Sequence, residues 1–246
     1  MKWLLLPLLF SSPTLYAQIT FAAMEGFIPY SWTSSGQKTG IDIEIIQLLS
    51  KKTNIPIAVR LTPWKRVLHE TKSGHVDGGI AFFKTEEREN FLTYISTPLH
   101  ESTYKVFVRK GEEFKFDSVA DLHGKSIGKN TGFHISKEFN QANKENLIHV
   151  EEASMELNIK KLHGKRISAL VGNQQEVYYL LSKLGLSDSI VALQHPLFPS
   201  RGAYLVISNA SKTPNKEKLI NKLSDTLKAM KEDGLLDEIY AKYGQK

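Results

Sequence analysis

The residues whose types and spacing most clearly suggest chemistry lie between Gly74 and Glu89. The apolar run Val76 to Phe83 predicts a buried strand because it is short and bounded by turn residues. Thr85 predicts a helix N-cap, and the acids after it suit the positive end of a helix dipole. Arg88 then occupies the position where a capping box has Glu or Gln. A cation in a first helical turn is unfavourable unless an anion lies beside it.

Two interpretations of Arg88 follow from this pattern. A strand, a tight turn, a helix N-terminus and a forked cation together describe a carboxylate-binding corner. The alternative is a solvated arginine that pairs with Glu86 or Glu89, an arrangement that contributes little to stability. The local sequence leaves both interpretations open.

The elements that must position Arg88 follow from a rhythm that runs through most of the chain. Short apolar runs alternate with amphipathic helical stretches, which predicts an α/β architecture. Residues 19–23, 57–61, 104–109, 126–129, 147–150, 168–171 and 203–208 are predicted strands. Predicted helices begin near Ile41 and span 64–73, 136–143, 154–162 and 174–183, and a long helix carries the apolar stripe from Leu219 to Met230. No low-complexity linker interrupts this order, which favours closely paired lobes.

The first residues predict export. Met1 and Lys2 precede an apolar run, and a small residue, Ala17, ends the segment, as in a cleaved secretory signal peptide covering residues 1–17. The run is too short to span a bilayer. A buried core helix is the competing interpretation, which the position at the start of the chain disfavours. Cysteine is absent, which excludes disulfides, thiolate metal sites and a lipid-modified N-terminal cysteine. We therefore expect a periplasmic protein.

Composition and motifs point away from most other functions. Lys and Arg exceed Asp and Glu by 32 to 26, a modest excess that favours anionic ligands. The lysine pairs lie at helix-like spacings without stacking aromatics, so no nucleic-acid surface is expected. The 8 histidines form no close pair with metal-ligand spacing, so no metal is expected. No nucleophile elbow, phosphate-cradling loop or dinucleotide fingerprint occurs, and no cofactor is expected.

An ordered set of short motifs covers nearly all of the chain after residue 17. It comprises Phe27-Ile-Pro-Tyr30, Gly40-Ile-Asp-Ile-Glu44, Pro63-Trp64-Lys-Arg66, Gly74-His-Val-Asp77, Asp121-Leu-His-Gly-Lys-Ser-Ile-Gly128 with Thr131-Gly132, and the closing stretch from Glu232 to Gly244. In this order and spacing the chain resembles the family 3 solute-binding proteins, periplasmic receptors that deliver polar amino acids and related solutes to ABC transporters. Each motif alone is weak, and the specificity lies in their order.

The resemblance implies a two-lobed type II periplasmic binding protein fold with a cleft between the lobes and two crossing segments. The first lobe would comprise residues 18–107 and 202–246, and the second lobe residues 108–201. A small solute would bind between the lobes of a monomer and stabilise the closed form, which then docks on an inner-membrane permease or on a sensor.

The resemblance also assigns site residues. Arg88 matches the family's carboxylate-binding arginine, and Phe27 and Trp64 match positions whose rings flank the ligand side chain. Either ring could instead be ordinary core. Trp64 follows a proline at a strand-to-helix turn, which places it at the sheet edge where ligands bind.

Several positions depart from the amino-acid-binding pattern. Ala81 and Phe83 stand where small or hydroxyl residues are common, and Phe133 follows Gly132 where threonine is common. Asn173 aligns with the acid that pairs with a ligand α-ammonium, and an amide cannot balance that charge. Either Glu25 substitutes for the acid from the first lobe, or the ligand lacks the amine. We expect a ligand with a carboxylate and an apolar or aromatic body.

Two other functions stay open at this point. The chain could serve as a ligand sensor without its own transporter. It could also be an enzyme, because periplasmic cyclohexadienyl dehydratases resemble the same family. Such an enzyme would hold the carboxylate of a prephenate-like substrate with Arg88 and use Glu25 or Glu176 as the cleft acid.

Overall fold

The computed structural model describes residues 18–243 and has a mixed α/β architecture. Its first part contains β1 (Ile19–Met24), β2 (Trp32–Ser34), β3 (Gln37–Thr39), α1 (Ile41–Thr53), β4 (Ile57–Thr62), α2 (Trp64–Ser73), β5 (Gly78–Phe82), α3 (Glu86–Glu89) and β6 (Leu92–Ser102). The second part contains β7 (Tyr104–Arg109), a 3-10 turn (Val119–Leu122), β8 (Ser126–Asn130), α4 (Lys137–Lys144), β9 (His149–Ala153), α5 (Met155–His163), β10 (Ala169–Asn173), α6 (Gln174–Leu184) and β11 (Ile190–Pro196). The chain continues with β12 (Arg201–Ser208), α7 (Lys216–Glu232) and α8 (Leu235–Lys242).

Most of the strands form two mixed sheets of 5 strands each, and β2 and β3 form a small hairpin. The first sheet has the order β4-β1-β5-β12-β6, in which β4, β1 and β5 are parallel and β12 is antiparallel to both its neighbours. The second has the order β11-β7-β10-β8-β9, in which β10, β8 and β9 are parallel. Parallel strands end at a common edge, so each sheet gathers the loops after its strands at one side.

Helices cover both faces of each sheet. In β1, Phe21 packs into the core shared with α1, α7 and α8, whereas its neighbour Ala22 packs with Val67 of α2 on the opposite face. In β10, Val171 packs with Phe139 of α4. The adjacent Leu170 packs into the core formed with α5 and α6. With the faces covered, the strand ends are where each sheet can meet a ligand.

The chain passes between the two sheets twice, at Thr103 between β6 and β7 and at 197–200 between β11 and β12. The boundary that we expected after residue 107 falls inside β7, whose residues pair with β10 and β11 of the second sheet. The apolar run indicates a strand but does not specify its sheet, because the pairing partners are distant in sequence. Residues 104–107 therefore lie in the second sheet.

The predicted signal peptide, residues 1–17, lies outside the described residues. Across residues 18–243 no helix is long and apolar enough to cross a membrane.

Candidate ligand-binding cleft

The loops at the strand ends of the two sheets enclose a small cavity between the lobes. The first lobe contributes Phe27, Trp64, Ala81, Phe83 and Arg88 to its lining, and the second lobe contributes Tyr104, Phe133 and His134. The space open to water-sized molecules is about 30 Å³, which holds very few waters. The cavity is thus nearly closed, and the lobes or side chains must move before a solute enters.

Arg88 reaches this cavity because of the turn that follows β5. The predicted N-cap is confirmed: the Thr85 Oγ1 atom accepts a hydrogen bond from the backbone N–H of Arg88 at 3.3 Å, and α3 is a single turn of 4 residues. Ala81 in β5 has a φ of 64°, and the pairing register between β5 and β12 shifts nearby. A left-handed residue with a register shift is typical of a bulge that re-aims the residues after it.

The Arg88 guanidinium is buried, with 7% of the residue exposed. One of its nitrogens donates to the Phe83 carbonyl at 3.0 Å, and its central carbon lies 5.5 Å from the ring centroids of both Trp64 and Phe82. In the part of the chain that the structure describes, no carboxylate lies within ion-pair distance of it, which argues against pairing with Glu86 or Glu89. Burial lowers the pKa of Arg88, yet a guanidinium remains charged in proteins. A buried cation without a counter-charge is costly and favours an anion beside it.

The other polar groups of the cavity are suited to the same ligand. The Trp64 Nε1 and His134 Nδ1 atoms are buried and have no hydrogen-bond partner within residues 18–243. An indole N–H can only donate. Burial and the nearby Arg88 cation lower the pKa of His134, so its imidazole is neutral at pH 7. None of the residues lining this cavity is Asp or Glu. A neutral imidazole has one N–H, so His134 can also donate from one of its ring nitrogens. One cation, an indole N–H and an imidazole without an acid describe a carboxylate site.

Phe133 occupies the space between the two rings that we expected to flank a ligand. Its ring centroid lies 6.0 Å from that of Phe27 and 5.5 Å from that of Trp64, in edge-on geometry at both contacts. A second-lobe side chain therefore fills part of the first lobe's aromatic pocket.

A braced turn presents Phe133. Gly132 has a φ of 75°, and a Cβ there would lie 2.9 Å from the Lys65 side chain. The backbone N–H of Gly132 donates to the Glu152 carboxylate at 2.9 Å, and the Lys129 ammonium donates to the Phe133 carbonyl at 2.9 Å. Lys65 of the first lobe lies 3.7 Å from the same Glu152 carboxylate, so the turn also contacts the opposite lobe.

The two residues considered for an α-ammonium lie elsewhere. The Asn173 Oδ1 atom caps α6 by accepting from the backbone N–H of Gln175 and Glu176, and its Nδ2 atom donates to the Ser102 hydroxyl at 3.3 Å. The Glu25 carboxylate accepts from the backbone and hydroxyl of Thr33 at 2.9 and 2.8 Å. Neither residue lines the Arg88 cavity. The structure thus does not bring them together with Arg88.

The structure reveals polar residues near the cleft that sequence reasoning did not assign to a site. His100 lines the Arg88 cavity, stacks on Tyr30 at 4.0 Å and lies 3.4 Å from the buried Asp42 carboxylate. His134 directly follows Phe133 in the sequence, and this adjacency to a predicted site residue could have identified it. Tyr104 could be found only once β7 was placed in the second sheet.

Glu176 is buried, with 1% of the residue exposed, in the first turn of α6. The Asn130 Nδ2 atom donates to both its oxygens, at 3.0 and 3.1 Å. Burial raises the pKa of Glu176 to about 8. Glu176 and Asn130 line a second, larger cavity of about 500 Å³ that also includes Glu25 and Gly26 of the first lobe. No group of three or more His, Asp or Glu among residues 18–243 could hold a metal ion.

The paired sheets, the two crossings and the cavity between the lobes define a two-lobed binding protein. The chain matches the family described as bacterial extracellular solute-binding proteins, family 3, over residues 19–246, and it belongs to that family.

Two relatives share about a quarter of their residues with this chain. The chain is 22% identical to the probable amino-acid-binding protein YxeM of Bacillus subtilis, over 87% of this chain and 79% of the relative. It is 26% identical to a probable histidine-binding protein of Neisseria gonorrhoeae, over 88% of this chain and 79% of the relative.

Solved structures support the fold. An ancestral arginine-binding protein bound to arginine superposes with a TM-score of 0.79 at 22% identity, over 93% of this chain and 99% of that one. A histidine kinase sensor domain has a TM-score of 0.81 at 14% identity, over 94% and 97%. An ancestral amino-acid-binding protein described as a precursor of cyclohexadienyl dehydratase has a TM-score of 0.72 at 22% identity, over 92% and 95%.

The buried Glu176 predicts a specific pH dependence of stability. Because its folded-state pKa of about 8 exceeds the ordinary 4.5, the folded protein keeps a proton that the unfolded chain releases between these values. Stability from this group is complete below pH 4.5 and falls by about 1 kcal/mol per pH unit towards pH 8. Glu176→Gln should remove this slope in urea unfolding of the empty protein.

The matched control is Glu156→Gln, because Glu156 is a half-exposed acid at the mouth of the same cavity and pairs with Lys160. It should keep the slope of the parent. A stability difference between the parent and Glu176→Gln that stays constant from pH 5 to pH 8 would contradict the assignment of a protonated Glu176.

Proposed function

We propose that this protein is a periplasmic receptor that captures a small carboxylate-bearing solute, an amino acid or a related organic acid, in the Arg88 cavity. The closed form would then deliver the solute to an ABC transporter permease. The observation that carries the proposal is the buried Arg88 guanidinium, which has no counter-charge among residues 18–243 and shares its cavity with the unpartnered Trp64 N–H. The family and the names of its relatives support a solute-binding role.

Binding at this position couples to closure because both lobes line the cavity. A ligand shifts the balance between open and closed forms only by contacting the closed form better. A carboxylate on Arg88 would meet first-lobe donors and, in the closed form only, second-lobe groups such as His134. The anion would also neutralise a charge that closure removes from water.

The size of the solute follows from Phe133. Its ring already lies between Phe27 and Trp64, so a ligand has little room for a large side chain there. We therefore expect the apolar part of the solute to be small as long as the Phe133 ring stays between Phe27 and Trp64.

Export to the periplasm remains part of the proposal. It is supported by the leader-like residues 1–17 and by the family's description as extracellular. The likeness to a histidine kinase sensor domain concerns the fold alone. The alternative to delivery to a permease is that the closed form docks on a sensor and reports the solute.

Arg88→Ala should weaken binding of the solute by about 30-fold to several thousand-fold, equivalent to about 2 to 5 kcal/mol, because it removes a buried charge-assisted contact. Arg88→Lys should restore only part of the affinity, since a point charge cannot reproduce the fork. The solute is first identified by a thermal-shift screen of amino acids, keto acids and aromatic acids, and its affinity is then measured by titration calorimetry.

Arg60→Ala is the control, because Arg60 is an exposed arginine that pairs with Glu70. It should bind like the parent. If Arg88→Ala folds and binds with unchanged affinity, the carboxylate site is not at Arg88.

Phe133→Ala should open the space between Phe27 and Trp64 to larger ligands. Filling it with a ligand ring would contribute about 1.5 to 3 kcal/mol, so acids with a phenyl group should gain about 10- to 100-fold relative to the parent. Competition with a series of carboxylic acids of increasing size measures the change. Tyr178→Ala, an exposed second-lobe aromatic, should leave the size preference unchanged. Equal size preference in the parent and Phe133→Ala would show that Phe133 does not limit the ligand.

A dehydratase is the second candidate function, and it is favoured by the buried Glu176, whose pKa burial raises to about 8. A neutral buried carboxylic acid can donate a proton to a departing hydroxyl group. The ancestral precursor of a dehydratase shares the fold only. Glu176 and Arg88 line different cavities, which favours the receptor.

Incubation with prephenate separates the two functions. If the protein is a receptor, prephenate should disappear no faster than in buffer without protein, as measured by mass spectrometry. Loss of water and carbon dioxide from prephenate at a rate that Glu176→Gln abolishes would establish the enzyme instead.

A further inference from the structure

The second cavity between the lobes has its own buried polar groups. Glu176 and Asn130, which are 1% and 2% exposed, lie in the second-lobe part of its lining, and Gly26 and Ile28 complete it from the first lobe. Its volume of about 500 Å³ is ample for a small organic group. It is distinct from the Arg88 cavity, although Met24 lines both.

The hydrogen-bond accounting of this cavity leaves acceptors unused. In its ionised form the Glu176 carboxylate would accept, among residues 18–243, only from the Asn130 side chain, although two carboxylate oxygens can accept about four hydrogen bonds. The Asn130 Oδ1 atom is buried and has no partner among the described residues. No Lys, Arg or His between residues 18 and 243 lies within ion-pair distance of Glu176. Buried acceptors in this state favour a donor from outside the chain.

We propose that this second cavity binds a primary ammonium group, held by the Glu176 carboxylate and the Asn130 Oδ1 atom. An ammonium has three donors and no acceptor, which complements a carboxylate and an amide oxygen. An anion would meet only acceptors at these two atoms. A divalent metal ion is disfavoured, because residues 18–243 contain no group of three acids or histidines that could hold one.

The charged groups around the cavity do not already satisfy Glu176. Lys160 pairs with Glu156 at 2.6 Å, and Lys183 is exposed at the rim. Glu25 is held by Thr33. Tyr104 faces Glu176 from β7, and its own phenol stays neutral because burial raises its pKa. These rim charges balance, so an ionised Glu176 would have no counter-charge among the described residues around the cavity.

Binding should release a proton. Burial raises the pKa of Glu176 to about 8, so the acid is mostly neutral at pH 7. A bound ammonium favours the ionised carboxylate, and the displaced proton goes to solvent. Affinity for an ammonium should therefore rise with pH up to about 8 and level off above it.

The ammonium could belong to the solute whose carboxylate meets Arg88 or to a separate amine. The second cavity is argued from its own groups, so it does not rest on the proposed function. Propylammonium chloride, sodium propionate and 4-aminobutyrate distinguish the two sources, because they carry the cation alone, the anion alone and both groups.

Titration calorimetry of the mature chain with propylammonium at pH 6.5 and pH 8, in two buffers of different ionisation enthalpy, tests the proposal. We expect saturable binding, about tenfold tighter at pH 8, with proton release at pH 6.5. Binding should be lost in Glu176→Gln and kept in Glu217→Gln, a control because Glu217 is an exposed acid of α7 that lines neither cavity. If 4-aminobutyrate binds more tightly than propylammonium and needs both Arg88 and Glu176, one solute occupies both cavities. If 4-aminobutyrate binds no more tightly than propylammonium, and propylammonium binds Arg88→Ala as it binds the parent, the second cavity takes a separate amine.

The proposal is overturned if propylammonium does not bind at either pH, or if Glu176→Gln binds it as the parent does. Circular dichroism confirms that each variant folds. Should Glu176→Gln fail to fold, Asn130→Ala and the pH dependence of the parent decide, since pH-independent binding that survives Asn130→Ala would exclude this site. Weakened propionate binding in Arg88→Ala tests the carboxylate site separately, so the two proposals fail independently.

Discussion

A buried guanidinium without a counter-charge is the constraint on which the cleft depends. Removing a charge from water costs several kcal/mol, and among residues 18–243 Arg88 recovers only a hydrogen bond to the Phe83 carbonyl and contacts with two aromatic rings. The Ala81 bulge and the Thr85 cap hold the backbone in the turn that buries it. Such a site is stabilised by an anion, and since both lobes enclose it, the anion's charge is coupled to lobe closure.

The cleft separates the two kinds of polar group that a zwitterion requires. The Arg88 cavity is rich in donors, and the second cavity is rich in acceptors. Asn173 lies between the two arrangements: its Oδ1 atom caps α6, its Nδ2 atom donates to Ser102 of the first sheet, and the buried acid Glu176 lies three residues further along. Residues three apart at the start of a helix share a face, so Glu176 is also directed towards the second cavity between the lobes.

The part of the site formed by residues 64–88 could be predicted from the sequence, because it depends on local interactions. The remaining part depends on contacts between residues far apart in the chain, which the sequence pattern does not specify. The bounds of α2, its left-handed end at Gly74 and the Thr85 cap were confirmed, because each depends on a few adjacent residues. Six of the residues expected at the site, Phe27, Trp64, Ala81, Phe83, Arg88 and Phe133, line one cavity, although their binding roles remain a prediction. The sheet to which β7 belongs and the directions of the Asn173 and Glu25 side chains depend on partners far along the chain. Matching residues to a motif could not predict that sheet assignment or those side-chain directions.

Phe133 connects recognition with conformational balance. Its ring packs against apolar clusters of both lobes, and its turn is bound to Glu152, which also attracts Lys65 across the cleft. These contacts stabilise the observed arrangement of the two lobes, although Phe133 is only partly buried and so contributes less than a fully buried ring, which contributes about 1.5 to 3 kcal/mol. They also occupy space that a solute would use. A solute at the proposed site would therefore either fit beside Phe133 and add its contact with Arg88 to the existing apolar contacts, or displace the ring and replace those contacts. The first route demands less of the ligand's binding energy, which is why the geometry favours a compact anion at Arg88.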